Sequence, residues 1–174
     1  MTKVTLLNQL KDFTEHSVDG ILLPVAPQKG DDGKPQMRVP EVHCARLPDS
    51  KSAKKKAPYI LHQILNGRDI QPSGNRATSV AIVRSIFCVF DNDEQQGGLA
   101  LLEVMERLRI DLLETEVIGG QFHLDLEAGI ESVVYPEDTA PYYAGEMITT
   151  WKLPIIERKI QNVKGKHWSG SGLQ

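Results

Sequence analysis

Three groups of side chains in this 174-residue sequence are of types that could do chemistry. His123 and Asp125 alternate with Phe122 and Leu124, so on a strand they share one face with Gln121 and Glu127. A histidine beside a carboxylate can move a proton. That gives one reading of the chain: a small cytoplasmic enzyme or nucleic-acid-modifying protein working through His123 and Asp125. A solvated sheet face, or one side of a subunit contact, explains the same alternation. His43 precedes Cys44, and a histidine can activate a thiol. Adjacent residues of a strand point to opposite faces, however, so this pair forms no dyad. Asp91, Asn92, Asp93 and Glu94 offer oxygen ligands. A calcium loop counted from Asp91 needs Gly at its sixth position and a carboxylate at its twelfth, where this chain has Gln96 and Leu102. Acids just ahead of a helix are better explained by the positive end of its dipole. Gly165-Lys166-His167 lacks the upstream Gly and the following Ser or Thr of a phosphate loop. The expectation is therefore no catalytic residue, no metal ligand and no cofactor.

The elements that would position these residues can be read from spacing. Thr2 to Val18 has residues at helical steps (Val4, Leu7, Leu10 or Lys11, and Phe13), with Thr2 as cap and Gly20 as stop. Ile21 to Val25 reads as a short strand. Residues 24–58 hold six prolines, which disfavour long regular elements and predict a long loop or arm with one short strand inside Met37 to Leu47. Tyr59 to Leu65 reads as a strand, with Asn66-Gly67 as a turn opening the loop to Ala77. Thr78 to Phe90 is apolar on both faces, which predicts a central strand covered on each side; Arg84 and Ser85 interrupt its pattern. Leu99 to Glu114 is an amphipathic helix whose stripe is Leu101, Val104, Met105, Leu108 and Leu112. Gln121 to Tyr135 and Tyr142 to Arg158 read as two further strands. The fold class is α+β: a mostly antiparallel sheet packed by an N-terminal helix and a central amphipathic helix, with long extended loops. Residues 1–160 form a single domain, and 161–174 a flexible tail rich in Gly and Ser.

Composition narrows the function classes. Twenty basic against 23 acidic residues give a net charge of −3, which argues against a protein built to grip nucleic-acid phosphates. Cys44 and Cys88 lack metal spacing and read as free thiols in a reducing compartment. The start MTKVTLLNQLKDF interleaves apolar with polar residues, so no signal peptide is expected. No apolar run approaches the ~18 residues of a membrane span, so no membrane association is expected. Aromatic and basic residues that could meet a partner are Tyr142, Tyr143 and Trp151, together with the lysine run Lys54, Lys55 and Lys56, which otherwise reads as a solvated loop.

About half of the chain resembles a known family. The run VRSIFCVFDNDEQQGGLALLEVMERLRIDLLE, followed by a strand and then APYYAGEMITTWKLPIIER, is similar to the tail terminator (tail completion) proteins of long-tailed bacteriophages. The features that carry the likeness are Phe90 to Asp93, the Leu-rich helix with its Glu–Arg pairs, Pro141 to Glu146, Thr150-Trp151 and Pro154 to Arg158. The resemblance implies a structural, non-enzymatic virion protein of the tail neck, assembled in the host bacterial cytoplasm. It implies a homo-oligomeric, hexameric ring that caps the tail tube protein and meets a head–tail connector or stopper protein. DNA would pass its channel without specific binding. The inner wall of such a ring is expected to carry more acids than bases, from Asp91 to Glu94 or from Gln121 to Glu127. A head-completion or connector neck protein is the neighbouring alternative.

Overall fold

A computed structural model describes residues 2–27, 36–48, 51, 53, 56–72, 77–136 and 140–156. Helix α1 spans Lys3–Ser17. Thr2 starts it: its hydroxyl accepts from Thr5 N–H at 3.2 Å, and the Thr5 hydroxyl accepts from Thr2 N–H at 3.4 Å. This reciprocal cap satisfies two of the free donors at a helix start. Helix α2 spans Glu94–Thr115 and starts five residues earlier than the apolar stripe alone suggests. Asp93 caps it by accepting from Gln95 N–H at 2.9 Å and Gln96 N–H at 3.1 Å. The acidic turn thus serves the helix start, and the residues Gln95 to Gly98 extend the helix by a turn.

The strands are β1 (Leu23–Pro24), β2 (Met37–Arg38), β3 (Glu41–Cys44), β4 (Tyr59–Ile70), β5 (Thr78–Phe90), β6 (Val117–Ile118), β7 (Phe122–Leu124), β8 (Ile130–Val134) and β9 (Tyr142–Lys152). β1 and β2 form a separate short ladder; the others form one sheet in the order β3-β4-β5-β9-β7-β6, with β8 also beside β9. Every pairing is antiparallel except β3 with β4. The fold is α+β, with a mostly antiparallel sheet, an N-terminal helix and a central helix.

Both helices pack on one face of this sheet. The stripe Leu101, Val104, Met105, Leu108 and Leu112 and the α1 residues Leu6, Leu7 and Leu10 share one core with Ala81, Val83, Phe87 and Val89 of β5 and Met147 and Trp151 of β9. Two glycines permit the close approach. A Cβ at Gly97 of α2 would sit 2.0 Å from Tyr143 Cε2, and one at Gly145 of β9 would sit 2.8 Å from the Val133 carbonyl.

Four expectations are corrected. Asn66-Gly67 is not a turn. β4 continues through it to Ile70, with a bulge between Ile64 and Asn66, because β5 offers a partner as far as Thr78. Met37 to Leu47 holds two short strands rather than the one expected: β3 extends the main sheet, and β2 pairs with β1. Gln121 to Tyr135 is two strands separated by a turn, and Leu126, which an unbroken alternation with Phe122 and Leu124 would bury, is 46% exposed. β5 is not covered evenly. Its Ala81 face is buried under the helices, whereas Val80, Ile82, Arg84 and Ile86 are half-buried; only Cys88 and Phe90, packed with Tyr59, Leu61 and Ala57, are enclosed on that side. The expected tail 161–174 and the end of the expected strand beyond Ile156 lie outside the described residues.

Candidate interaction surface

The residues proposed for catalysis do not converge. His123 is exposed on β7, opposite Lys152. Asp125 instead pairs with Lys152, its carboxylate 2.9 Å from Nζ. That bond, with backbone donors of Glu127 and Ala128, holds the Asp125 carboxyl below its usual range, while Asp125 raises Lys152. Asp125 thereby fixes the turn between β7 and β8. Cys44 donates from Sγ to the Leu7 carbonyl (3.3 Å), and burial pushes its thiol pKa up, away from a reactive thiolate. His43 lies 3.4 Å from Glu41. Among the described residues no group of His, Cys, Asp or Glu is arranged to hold a metal ion, and no helix is long and apolar enough to cross a membrane. A shallow groove of about 360 Å³ at the end of the sheet, between Thr78, Val80 and Leu153, has Lys152 as its one ionisable lining residue among the described residues.

The candidate contact residues divide. Trp151 is 0% exposed, and its indole N–H donates to Thr149 Oγ1 at 2.9 Å. It is core, with no surface to offer, which corrects its place among contact residues. Tyr143 is half-buried against Gly97, and Tyr142 packs its ring on Phe90, with centroids 5.3 Å apart. The Lys56 carbonyl accepts from the Arg38 guanidinium; Lys54 and Lys55 lie outside the described residues.

The surface with organised polarity is the sheet face opposite the helices. Even-numbered residues of β5 point to it, and their cross-strand partners carry the face onto β4 and β9. A polar row crosses it. Arg84 donates to Gln63 Oε1 at 2.7 Å and lies 3.8 Å from Glu146, which accepts from the Tyr135 hydroxyl at 2.6 Å. Burial and that bond to Glu146 raise the Tyr135 pKa. Around the row stand Val80, Ile82, Ile86 and Ile148, all half-buried. Sequence reading noticed Arg84 only as a break in an apolar pattern.

The sheet also has open edges. β3 covers β4 only from Tyr59 to His62, so Asn66 to Ile70 have a strand on one side alone among the described residues. On the opposite side β8 pairs with β9 alone among the described residues, and Glu131 to Val134 are exposed.

A second feature was invisible from sequence. His62, Ser85 and Thr14 meet in the core: His62 Nδ1 is 2.8 Å from Ser85 Oγ, and Nε2 is 3.0 Å from Thr14 Oγ1. All three are enclosed, so the cluster ties α1 to the sheet and has no access to a substrate. Burial lowers the His62 pKa to about 3.

No protein-family model matches the chain, and no curated protein matches it. Among solved structures, one of undescribed activity matches with a TM-score of 0.44 and 11% identity, over 90% of this chain and 95% of that chain. A likeness at that level carries no argument about fold or function.

Proposed function

We propose that this chain is a structural subunit of a bacteriophage tail neck, a tail terminator that closes into a ring on the tail tube and meets the head-side connector. The resemblance supplies this reading. Its residues fall on connected parts of the fold: Phe90 to Asp93 join β5 to α2, and Tyr142 to Glu146 begin β9, whose Tyr143 packs on α2. The observation that carries it is the pair of open edges on opposite sides of one sheet. Unpaired strand edges invite another chain. Two different edges on opposite sides make a heterologous contact, which must close into a ring or run on as a filament. A cap must close, because its task is to end tube growth. The test is a phage or prophage lacking this chain. It should make tails of uncontrolled length, or tails that fail to join heads; normal infectious particles would refute the assignment.

A further inference from the structure

We propose that neighbouring copies of this chain join by strand addition, with β8 of one subunit pairing antiparallel to the Asn66–Ile70 half of β4 in the next. The proposal rests on the ring reading for closure and on the sheet itself for the contact.

Strand polarity comes first. β4 is antiparallel to β5, β5 to β9, and β9 to β8, so within one subunit β8 and β4 run in opposite directions. A neighbour generated by rotation about an axis to which the strands are tilted keeps those directions, and the tilt supplies the stagger by which Glu131, level with Gln63 across β9 and β5 of its own sheet, meets Arg68 of the next copy. Its β4 then arrives antiparallel to β8, the more stable way to pair, and the sheet continues from subunit to subunit with all helices on the same side.

Side-chain facing agrees. On β4, Asn66, Arg68 and Ile70 oppose Ile82, Val80 and Thr78 and so share the helix-free face. On β8, Glu131 and Val133 oppose Ile148 and Glu146 and share that same face. Arg68 and Glu131 are both exposed, and among the described residues neither has an ion-pair partner. Setting Arg68 opposite Glu131 places Asn66 opposite Val133, Gly67 opposite Ser132 and Asp69 opposite Ile130, a ladder of four residues on each strand that ends at the bulge after Ile64. Opposite charges directly across a ladder stabilise it and like charges destabilise it. One acid on one edge and one base on the other therefore favour β8 against β4 over β8 against β8. Asp69 is occupied elsewhere, by Lys3 at 3.8 Å and by the Ser79 hydroxyl. Gly67 N–H meets only a local acceptor, the Asn66 side chain at 2.7 Å, a bond that a β8 carbonyl can replace.

The test uses the full chain with Cys44→Ser as background. Arg68→Cys and Glu131→Cys together should give, on mild oxidation, a ladder of covalently linked oligomers, whereas each alone gives nothing beyond a dimer. Arg68→Glu or Glu131→Arg alone should weaken association several-fold, and the two together should restore it to within about twofold of the parent. A protein that assembles but does not cross-link between these positions overturns the pairing and leaves the neck assignment standing. A monomer at every soluble concentration also overturns the pairing, and the neck assignment is then decided separately by the tails of the mutant phage.

Discussion

Acid should loosen this protein through a single buried side chain. His62 has 0% exposure and two hydroxyl neighbours, Ser85 and Thr14. A neutral imidazole offers one donor and one acceptor, which two rotatable hydroxyls can match. An imidazolium would bring a charge into the core, and burial lowers the His62 pKa from 6.5 to about 3. Between those values the unfolded chain binds a proton that the folded chain refuses. Stability is therefore full above the unfolded value and is lost as pH falls toward the folded one. The whole window is worth about 5 kcal/mol, at roughly 1.4 kcal/mol for each factor of ten in proton affinity. At pH 5 the loss is about 2 kcal/mol, which moves a urea midpoint by roughly 1 M for a slope of about 2 kcal/mol per molar. The assay is urea unfolding, followed by circular dichroism, of the parent and His62→Gln between pH 8 and pH 5. Glutamine keeps a donor and an acceptor but does not titrate. The parent's advantage over the variant should shrink by about 2 kcal/mol across that range. A constant gap would refute the reasoning.

Two further outcomes test the packing of α2. Leu108, fully buried between α2 and the sheet, should cost about 2–5 kcal/mol on change to Ala, and an unchanged denaturation midpoint would mean the helix face is misassigned. Gly97→Ala should destabilise by about 1–3 kcal/mol because its Cβ meets the Tyr143 ring at 2.0 Å, outweighing the roughly 1 kcal/mol that Ala gains in a helix. In a Tyr143→Ala background the same change should stabilise; thermal melts of the four proteins decide, and a more stable Gly97→Ala in the parent background would sink the argument.

Local pattern revealed those elements whose partners did not matter to their existence. The α2 stripe and the cap at Thr2 follow from spacing along one segment, and both appear in the fold. β5 was legible from its β-branched run. Asn66-Gly67 misled because turn propensity competes with pairing, and β5 supplies a partner through Thr78. The β7–β8 break was hidden because Asp125 turns the chain by bonding to Lys152, a residue distant in sequence. His62 lies in the segment Tyr59 to Leu65, which its pattern marks only as a strand; its partners lie 23 and 48 residues away, a separation that periodicity cannot report. Ser85, noticed as a flaw in β5, is one of those partners.

The helix-free face gives the channel argument a different form from the acidic wall that the resemblance implies. In a ring of the proposed kind with its helices outward, that face would line the channel, and two of the cations described on it already have carboxylate partners. Arg84 lies beside Glu146, and Lys152 beside Asp125. Arg68 meets Glu131 of the next copy under the proposed pairing. Phosphate binding draws its affinity from basic groups that displace counterions, and a base already held by a carboxylate has less to offer. Such a wall needs no excess of acids to let DNA slide; it needs each base to be occupied. The row from Gln63 through Arg84 and Glu146 to Tyr135 does this while keeping a face rich in Ile and Val wet. Glu146→Gln should therefore leave the fold intact, free Arg84 and give a protein whose retention on DNA rises and then falls away with added salt. An unchanged, salt-independent lack of retention would place this face away from the channel.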